Sequence, residues 1–229
     1  MPHEMPVGEP VDGVDARSPS RRELQGRFVT LEPLDPSRHA ESLWRAAHDR
    51  SLEATHMWTY MPYGPFASAA AMGSWMEGIA ASTDPLFFAV VAGPERAPVG
   101  MASYLNADTA MRHIELGHIW YSPDAQRSEA NTETAFLMMR EAFDELGYRR
   151  VEWKCDALNA RSRAAALRLG FTFEGVFRQH MIVKGRNRDT AWFSVTDAEW
   201  PSVRSAVERW LASERGARPS LGSLREAEG

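Results

Sequence analysis

A polar loop between an apparent strand and an apparent helix, YSPDAQRSEANTETAFLMM (121–139), has residue types suited to binding a phosphate group. The first turn of a helix presents free backbone N–H groups and a partial positive charge. Gln126 and Arg127 add side-chain donors, and Asn131 or Thr132 can cap the helix. Taken alone, the arrangement is also typical of a plain structural turn, because strand–loop–helix connections occur in every α/β protein.

The neighbouring predicted strands carry a cysteine and two histidines, but their spacing matches no known catalytic motif. Cys155 is the only cysteine, and its position inside a strand favours a small buried residue over a nucleophile that carries an acyl group. His113 and His118 are alternative general bases, although a lone histidine on a strand is more often structural. No His/Cys spacing suggests a metal site, and nothing resembles a Ser-His-Asp elbow.

Hydrophobic periodicity divides the chain into strands and helices that position these residues. Residues 51–66 are aromatic and broken by Pro and Gly, which predicts a loop or short turns. In the strand 112–121, alternation predicts that Glu115 points to one face while His118 and Trp120 point to the other. Strands are predicted at 27–34, 86–92, 99–107, 112–121 and 148–157, with a hairpin over 173–197 that turns at KGRN. Helices are predicted at 35–49, 68–82, 131–146, 160–170 and 197–211.

The order of these elements predicts a mixed α/β fold. Three successive strands indicate an antiparallel meander, and the strand–helix–strand at 112–157 indicates one parallel crossover. We therefore expect a mixed sheet rather than a regular doubly wound one.

Composition limits the classes of protein that fit. The 229 residues include 26 basic and 31 acidic side chains, and the formal net charge of −5 argues against nucleic acid as the main partner. We expect no membrane span and no signal peptide, and a single cysteine fits a cytoplasmic protein. A disordered or loosely docked arm is predicted at 1–24, one folded domain at 25–212 and a flexible tail at 213–229.

Several longer motifs resemble a single family across the predicted folded domain. They are RFVTLEPL (27–34), IELGHIWYSPDAQ (114–126), NTETAFLMM (131–139), the pattern of Asn159, Ser162 and Gly170-Phe171, and GRNRDTAWFSV (185–195) followed by DAEWP. Over 25–212 the chain resembles the GNAT superfamily of acyl-CoA-dependent N-acyltransferases, and more closely its RimJ/RimL branch. The resemblance implies a mixed, mostly antiparallel sheet with a splayed parallel strand pair and flanking helices.

The resemblance also implies where acetyl-CoA binds, with no metal required. The cosubstrate enters between the splayed strands, so that strand 112–121 offers backbone to the pantetheine and residues 126–131, here called the phosphate loop, hold the pyrophosphate. Asn159 is expected to contact the pantetheine arm, and Ser162 is expected near the thioester sulfur. The expected binding residues are Trp120, Tyr121, Gln126, Arg127, Ser128, Glu129, Ala130, Asn131, Thr132, Asn159 and Ser162.

Direct transfer to an amine needs a base for the amine and donors for the oxyanion. Glu115 is the preferred base, against the alternative of a half-exposed strand residue that pairs with an arginine. By resemblance Ser162 is the preferred acid for the leaving thiolate, with Tyr121 as an alternative that more often serves packing.

The amine acceptor is expected between the aromatic segment 51–66, here called the acceptor loop, and the hairpin. The expected contacts are His56, Trp58, Tyr60 and Tyr63, unless this loop is a lid packed on the core. The KGRNR turn (184–188) either contacts an acidic acceptor or the cofactor's ribose phosphate, or is a solvated tip. Many relatives form dimers, so a homodimer is compatible with the resemblance.

Glu129 departs from the family pattern Gln/Arg-x-x-Gly-x-Gly/Ala, because it stands at the first glycine position. Glycine permits close approach and positive φ, whereas a carboxylate repels phosphate by on the order of 1 kcal/mol at an exposed site. That cost corresponds to roughly a fivefold loss of affinity. Two interpretations follow: an altered but working phosphate site, or a degenerate GNAT-fold module that binds acyl-CoA or proteins without catalysis.

Overall fold

The computed structural model describes residues 5–48 and 51–226, which form one eight-stranded sheet with helices on both faces. The strands are β1 (Leu24–Gln25), β2 (Val29–Pro33), β3 (Leu86–Ala92), β4 (Ala97–Asp108), β5 (His113–Tyr121), β6 (Arg150–Asp156), β7 (Thr172–Val183) and β8 (Arg186–Thr196). The helices are α1 (Pro36–Ala47), α2 (Leu52–Met57), α3 (Ala69–Ile79), α4 (Glu129–Arg140), α5 (Ala160–Leu169), α6 (Trp200–Ala212) and α7 (Leu221–Glu226).

The sheet order is β1-β2-β3-β4-β5-β6-β8-β7, and β5 with β6 is its parallel pair. The predicted mixed α/β sheet with a parallel crossover is therefore confirmed. Tyr104 and Leu116 pack under α4 on one face, and the Tyr104 hydroxyl donates to the Met138 carbonyl at 2.6 Å. On the opposite face, Phe87 and Met101 pack against α1 and α3.

The parallel strands β5 and β6 are paired only at their starts. Their register runs from His113 opposite Arg150 to Leu116 opposite Trp153. Beyond this point β5 pairs with β4 and β6 pairs with β8, so that the two strands diverge. The gap between them leaves one backbone edge of β5 free for another molecule.

A β-bulge at His118 changes the direction of the side chains that follow it. His118 has φ of 52°, and β5 has one more residue than β4 between the pairs Ser103–Gly117 and Met101–Trp120. The prediction that His118 and Trp120 lie on the face opposite to Glu115 is therefore wrong. Both side chains lie on the α1 and α3 side of the sheet, where His118 contacts the Phe87 ring.

The start of α4 also differs from the prediction. Its N-cap is Ser128, whose Oγ accepts from the Ala130 N–H at 3.1 Å, instead of Asn131 or Thr132. Ser128 takes this role because the chain leaves the helical region there, and the helix begins at Glu129. The helix continues as a π-helical turn over Glu141–Leu146 and ends at Gly147, as predicted, with φ of 83°.

The segments on either side of the predicted folded domain also contact it. Leu24–Gln25 pairs with β2, and Arg22 forms an ion pair with Glu141 of the π-helical turn. At the other end Leu221 is 2% exposed in the main core, within the short helix α7. Residues 1–4 and 227–229 of the two predicted termini lie outside the described residues.

Candidate active site

A cavity of about 1550 Å³ opens where β5 and β6 diverge. The phosphate loop and α5 form one end of its wall, and the acceptor loop with the β7–β8 hairpin forms the other. One continuous space therefore joins the two regions that the sequence assigned to a cosubstrate and to an acceptor. Its volume exceeds the ~300–1,000 Å³ of an ordinary small-molecule pocket.

The phosphate loop is held rigidly by its own hydrogen bonds. The Ser128 hydroxyl donates to the Ala125 carbonyl at 2.6 Å, and Gln126 Nε2 donates to the Tyr121 carbonyl at 3.1 Å. Arg127 has φ of 60°, so that the left-handed residue of the loop is Arg127 and not Glu129. Glu129 is the first residue of α4 and has no positive φ. The conformational reason for a glycine at position 129 does not apply to this loop.

Glu129 is neutralised by two arginines from the C-terminal segment. Its carboxylate pairs with Arg218 at 2.5 Å and with Arg215 at 3.5 Å. Burial raises the pKa of Glu129, but the hydrogen bond from Arg218 and the charge of Arg215 outweigh it, and the pKa is lowered overall. Glu129 is therefore a charged, paired carboxylate at the helix start, where the helix dipole also favours a negative charge.

The start of α5 brings Asn159 and Ser162 together. Asn159 Oδ1 accepts from the Ser162 N–H at 3.1 Å, which caps the helix, and Asn159 lines the cavity with its amide N–H donors not used in this bond. The Ser162 hydroxyl accepts from the Trp153 indole N–H at 2.9 Å. The indole bond uses an acceptor site on the oxygen, and the Ser162 hydroxyl also hydrogen-bonds the Cys155 thiol beside it.

Glu115 is buried in the cavity wall, and a lysine rather than an arginine neutralises it. The carboxylate pairs with Lys154 on β6 at 2.9 Å and accepts from Asn106 Nδ2 at 2.7 Å. Lys154 also pairs with Glu152 at 2.8 Å and lies 4.0 Å from the centre of the Trp192 ring. Burial raises the pKa of Glu115, and Lys154 and Asn106 oppose this effect only in part.

Tyr121 lines the cavity but its hydroxyl points into the core. The oxygen is buried near Thr134, with no hydrogen-bond partner of normal geometry among residues 5–48 and 51–226. Burial raises the pKa of Tyr121 above its ordinary value. Packing accounts for this tyrosine more directly than proton transfer.

Three more groups with reactive side chains line the same cavity. Burial lowers the pKa of His118 to about 4, and the positive charge of Arg188 acts in the same direction. His113 lies near Glu115 at the paired end of β5. Burial raises the pKa of the Cys155 thiol, so that it is protonated and a poor nucleophile at neutral pH.

The acceptor loop contributes some of its aromatic residues to the cavity and buries the others. His56 and Tyr60 line the cavity, and the Tyr60 hydroxyl donates to the Leu158 carbonyl at 3.2 Å. Trp58 and Tyr63 lie outside the cavity lining in an aromatic cluster, where Trp58 is 2% exposed and contacts Trp120 with ring centres 5.5 Å apart.

The residues that the sequence assigned to acetyl-CoA divide in a similar way. Glu129 and Ala130 line a second cavity of about 490 Å³ beside Phe28, and Thr132 is fully buried. The remaining ones face the main cavity: Trp120, Tyr121, Gln126, Arg127, Ser128, Asn131, Asn159 and Ser162.

Sequence reasoning missed Asn106, Lys154 and Arg218. A lysine inside an apolar strand, as in VEWKCDA, is a signal that Lys154 has a buried partner. Asn106 and Arg218 carry no comparable local signal, because their partners Glu115 and Glu129 are 9 and 89 residues away.

Lys184, in the predicted KGRNR turn, joins the hairpin to the acceptor loop. Its Nζ donates to the Trp58 carbonyl at 2.9 Å and to the Gly64 carbonyl at 2.8 Å. These bonds hold the hairpin tip against the acceptor loop. Lys184 is therefore occupied by backbone carbonyls, whereas Arg188 lines the cavity.

Within the part of the chain that the structure describes, no helix is long and apolar enough to cross a membrane. The same residues include no group of three His, Cys, Asp or Glu side chains arranged to hold a metal ion.

Comparisons with known proteins agree with this geometry. The family described as "Acetyltransferase (GNAT) domain" matches residues 29–172. A GCN5-related N-acetyltransferase from Brucella melitensis is 41% identical, with 94% of this chain and 99% of that chain covered and a TM-score of 0.89. A candidate GNAT acetyltransferase from Chromobacterium violaceum is 39% identical, with 88% and 100% covered and a TM-score of 0.78.

The chain is also similar to a curated bacterial protein over part of its length. YdaF of Bacillus subtilis, by its name a candidate ribosomal N-acetyltransferase, is 32% identical over 101 residues. The match spans 44% of this chain and 55% of that protein.

Proposed function

The chain belongs to the GNAT family of acetyltransferases, and we propose that it transfers an acetyl group from acetyl-CoA directly to a primary amine. The observation that carries the proposal is the single cavity that runs through the divergence of β5 and β6 and has both Glu115 and the phosphate loop in its wall. The similarity to YdaF supports a protein N-terminus as acceptor, and a small-molecule amine fits the same chemistry.

The residues at the α4 and α5 end of the cavity fit the phosphates of acetyl-CoA. The first turn of α4 presents backbone N–H groups, and Arg127 and Arg168 line the wall beside it. Asn131 and Asn159 add amide donors from the two helix starts. This end supplies several donors and positive charges within reach of one another, as a pyrophosphate requires.

Acetyl-CoA supplies the acetyl thioester, and the chain supplies positioning and proton transfer. The backbone edge of β5 beyond Leu116, which has no strand partner on the β6 side, orients the pantetheine arm and donates to the oxyanion. Glu115 accepts the amine proton, directly or through one water. Ser162, whose oxygen accepts from Trp153 and whose hydroxyl exchanges its bond to Cys155 for one to the thiolate, protonates the leaving thiolate and regains a proton from solvent.

The alternative is a GNAT-fold protein that binds acyl-CoA or another protein without catalysis. The evidence in its favour was the negative charge of Glu129 in the phosphate loop. That charge is paired with Arg218, and Glu129 faces the smaller cavity rather than the main one. Its repulsion of a bound phosphate is therefore reduced, which favours the enzyme.

Calorimetric titration with acetyl-CoA and with CoA tests the proposal. We expect micromolar binding of acetyl-CoA, followed by release of CoA when a mixture of primary amines and N-terminal peptides is added. A protein that binds acetyl-CoA but acetylates none of them supports the non-catalytic alternative. Absence of binding up to millimolar acetyl-CoA contradicts the proposed transfer and favours a module that binds another protein.

A further inference from the structure

Arg188 is a cationic side chain in the cavity wall that the proposed reaction does not use. It lies on β8 opposite Met181 of β7, at the acceptor end of the cavity. Its Nε is buried without a hydrogen-bond partner, and no ion pair joins it to any residue in the ranges 5–48 and 51–226. The residue as a whole is partly exposed, so its terminal nitrogens are open to a ligand in the cavity, and the buried Nε has a hydrogen bond left to make.

The carboxylates nearest in sequence or in the cavity wall are engaged elsewhere. Asp189 accepts from the Gln179 N–H at 2.7 Å and from Asn187 Nδ2 at 2.9 Å. Asp156 accepts from the Leu158 N–H at 2.9 Å. Glu115 is held by Lys154 at 2.9 Å. None of these three forms an ion pair with Arg188.

The cavity is positive although the chain has a net charge of −5. Its wall holds five cationic side chains and two carboxylates, Glu115 and Asp156, which gives a formal balance of +3. The cations other than Arg188 lie on the phosphate loop, β6 or α5; they are Arg127, Lys154, Arg161 and Arg168. Of these five cations, Arg188 is the one on the β7–β8 hairpin.

Register along β8 sets the separation between Arg188 and the proposed base. Arg188, Thr190 and Trp192 all line the cavity and so share one face of the strand. Trp192 is opposite Lys154, the partner of Glu115. The backbones of Arg188 and Trp192, four residues apart, are separated by ~13 Å. The side chains of Arg188 and Glu115 shorten this distance, because both reach into the cavity. An amine at Glu115 and an anionic group at Arg188 must therefore be several bonds apart in the acceptor.

We infer that Arg188 binds a carboxylate or phosphate group of the amine acceptor, and thereby selects acceptors that carry a negative charge. The inference rests on the proposed acetyl transfer, because it assigns the second end of the same substrate. His118 lies beside Arg188, and its pKa of about 4 leaves it neutral, so that it adds no second positive charge. The Thr190 hydroxyl, 3.0 Å from His180 Nδ1, provides a further polar group on the same wall.

Matched amines that differ only in charge test the inference. We would compare 4-aminobutyrate with 4-aminobutanamide, and phosphoethanolamine with ethanolamine, as acceptors for wild type, Arg188→Gln and Arg188→Lys. We expect wild-type kcat/KM to be about tenfold or more higher for the anionic member of a pair. Arg188→Gln should lose this preference through the anionic member alone, and Arg188→Lys should restore part of it. Arg186→Gln, an exposed position on the same strand outside the cavity, is the control and should leave all four rates unchanged.

Several outcomes would overturn the inference. Equal kcat/KM within each pair would show that charge is not recognised, and an equal loss for both members in Arg188→Gln would show a structural role. A weaker affinity of Arg188→Gln for acetyl-CoA would assign the guanidinium to a cosubstrate phosphate. Acetyl-CoA binding without turnover of any anionic amine also overturns it, whereas loss of acetyl-CoA binding itself would contradict the proposed function.

Discussion

Glu129 and Arg218 form an ion pair with an N–O distance of 2.5 Å, although 89 residues separate them. The side chains are 12% and 9% exposed, and the Arg218 guanidinium lies 4.4 Å from the Trp210 ring centre. Partial burial reduces screening by salt, so that this pair is stronger than an ordinary surface pair. The C-terminal segment therefore supplies the positive charge that balances Glu129 in the phosphate loop.

Substitution of Arg218 should reveal how the Glu129 carboxylate affects the affinity for acetyl-CoA. In Arg218→Gln the Glu129 charge keeps only the longer, more exposed pair with Arg215, next to the proposed pyrophosphate site, and we expect up to roughly fivefold weaker binding, from at most ~1 kcal/mol of repulsion. The double variant Glu129→Gln/Arg218→Gln should return the affinity close to wild type. Calorimetry at low and high salt measures both, and the difference should shrink as salt rises.

Arg204→Gln is a suitable control, because Arg204 of α6 pairs with Asp144 of the π-helical turn and with Glu208, and none of the three lines the cavity. An Arg218→Gln variant that binds acetyl-CoA as wild type does would show that Glu129 already points away from the phosphate. Failure of the double variant to recover would mean that Arg218 acts through the position of the C-terminal segment rather than through charge.

Local signals in the sequence were sufficient for most elements of the fold. The strand 86–92 is found as predicted, and Gly147 and Gly170 end their helices in the left-handed conformation. These features depend on neighbouring residues only, such as a run of apolar residues or a glycine after a helical stretch.

Features that depend on distant partners could not be predicted in the same way. The bulge at His118 moves the side chains that follow it to the opposite face of the sheet from the one that simple alternation predicts. The bulge can be recognised only from the pairing of β5 with β4. The cap of α4 is Ser128, three positions before the predicted Asn131. The ion pair from Arg218 joins segments that no spacing rule connects.

The pairing of Glu115 with Lys154 leads to a prediction on the pH dependence of activity. A general base acts as a carboxylate, so that kcat/KM should rise with pH through the pKa of Glu115, which burial raises. Glu115→Gln should lose ~10²–10⁴ in kcat and keep its affinity for acetyl-CoA. Unchanged kcat in this variant would exclude Glu115 as the base.

Lys154 is expected to act as a positioning residue for Glu115. Its charge lowers the pKa of Glu115, so that Lys154→Gln should raise that pKa and move the acidic limb of the kcat/KM profile to higher pH. The shift of the profile, rather than the overall loss of rate, separates this role from structural damage. A lower rate with an unshifted limb would contradict it.

Asn159 has two roles that one substitution can separate. Its Oδ1 caps α5 and its Nδ2 is the proposed donor to the cosubstrate, so that Asn159→Ala removes both and should cost ~1 kcal/mol of stability as well as affinity. Asn159→Ser keeps a capping oxygen but loses the amide donors. We expect Asn159→Ser to retain the wild-type Tm while its acetyl-CoA affinity falls several-fold. Equal affinities of wild type and Asn159→Ser would remove Asn159 from the binding site.

His118 makes the stability of the fold depend on pH between about 6.5 and 4. Burial lowers its pKa from 6.5 to about 4, so the unfolded chain binds a proton in this range while the folded chain does not. The free energy of unfolding therefore falls as the pH drops from 7 towards 4, by on the order of 3 kcal/mol from this group. Asn tolerates positive φ, so that His118→Asn should preserve the bulge and remove this part of the slope.

Urea unfolding at pH 7.5 and pH 5 measures the effect as a difference between the two free energies. We expect this difference to be smaller in His118→Asn than in wild type. His39, whose pKa burial also lowers, contributes equally to both proteins. His56→Asn, at an exposed position in the acceptor loop, should behave as wild type. If His118→Asn loses as much stability between the two pH values as wild type does, the His118 imidazole is not kept neutral by burial.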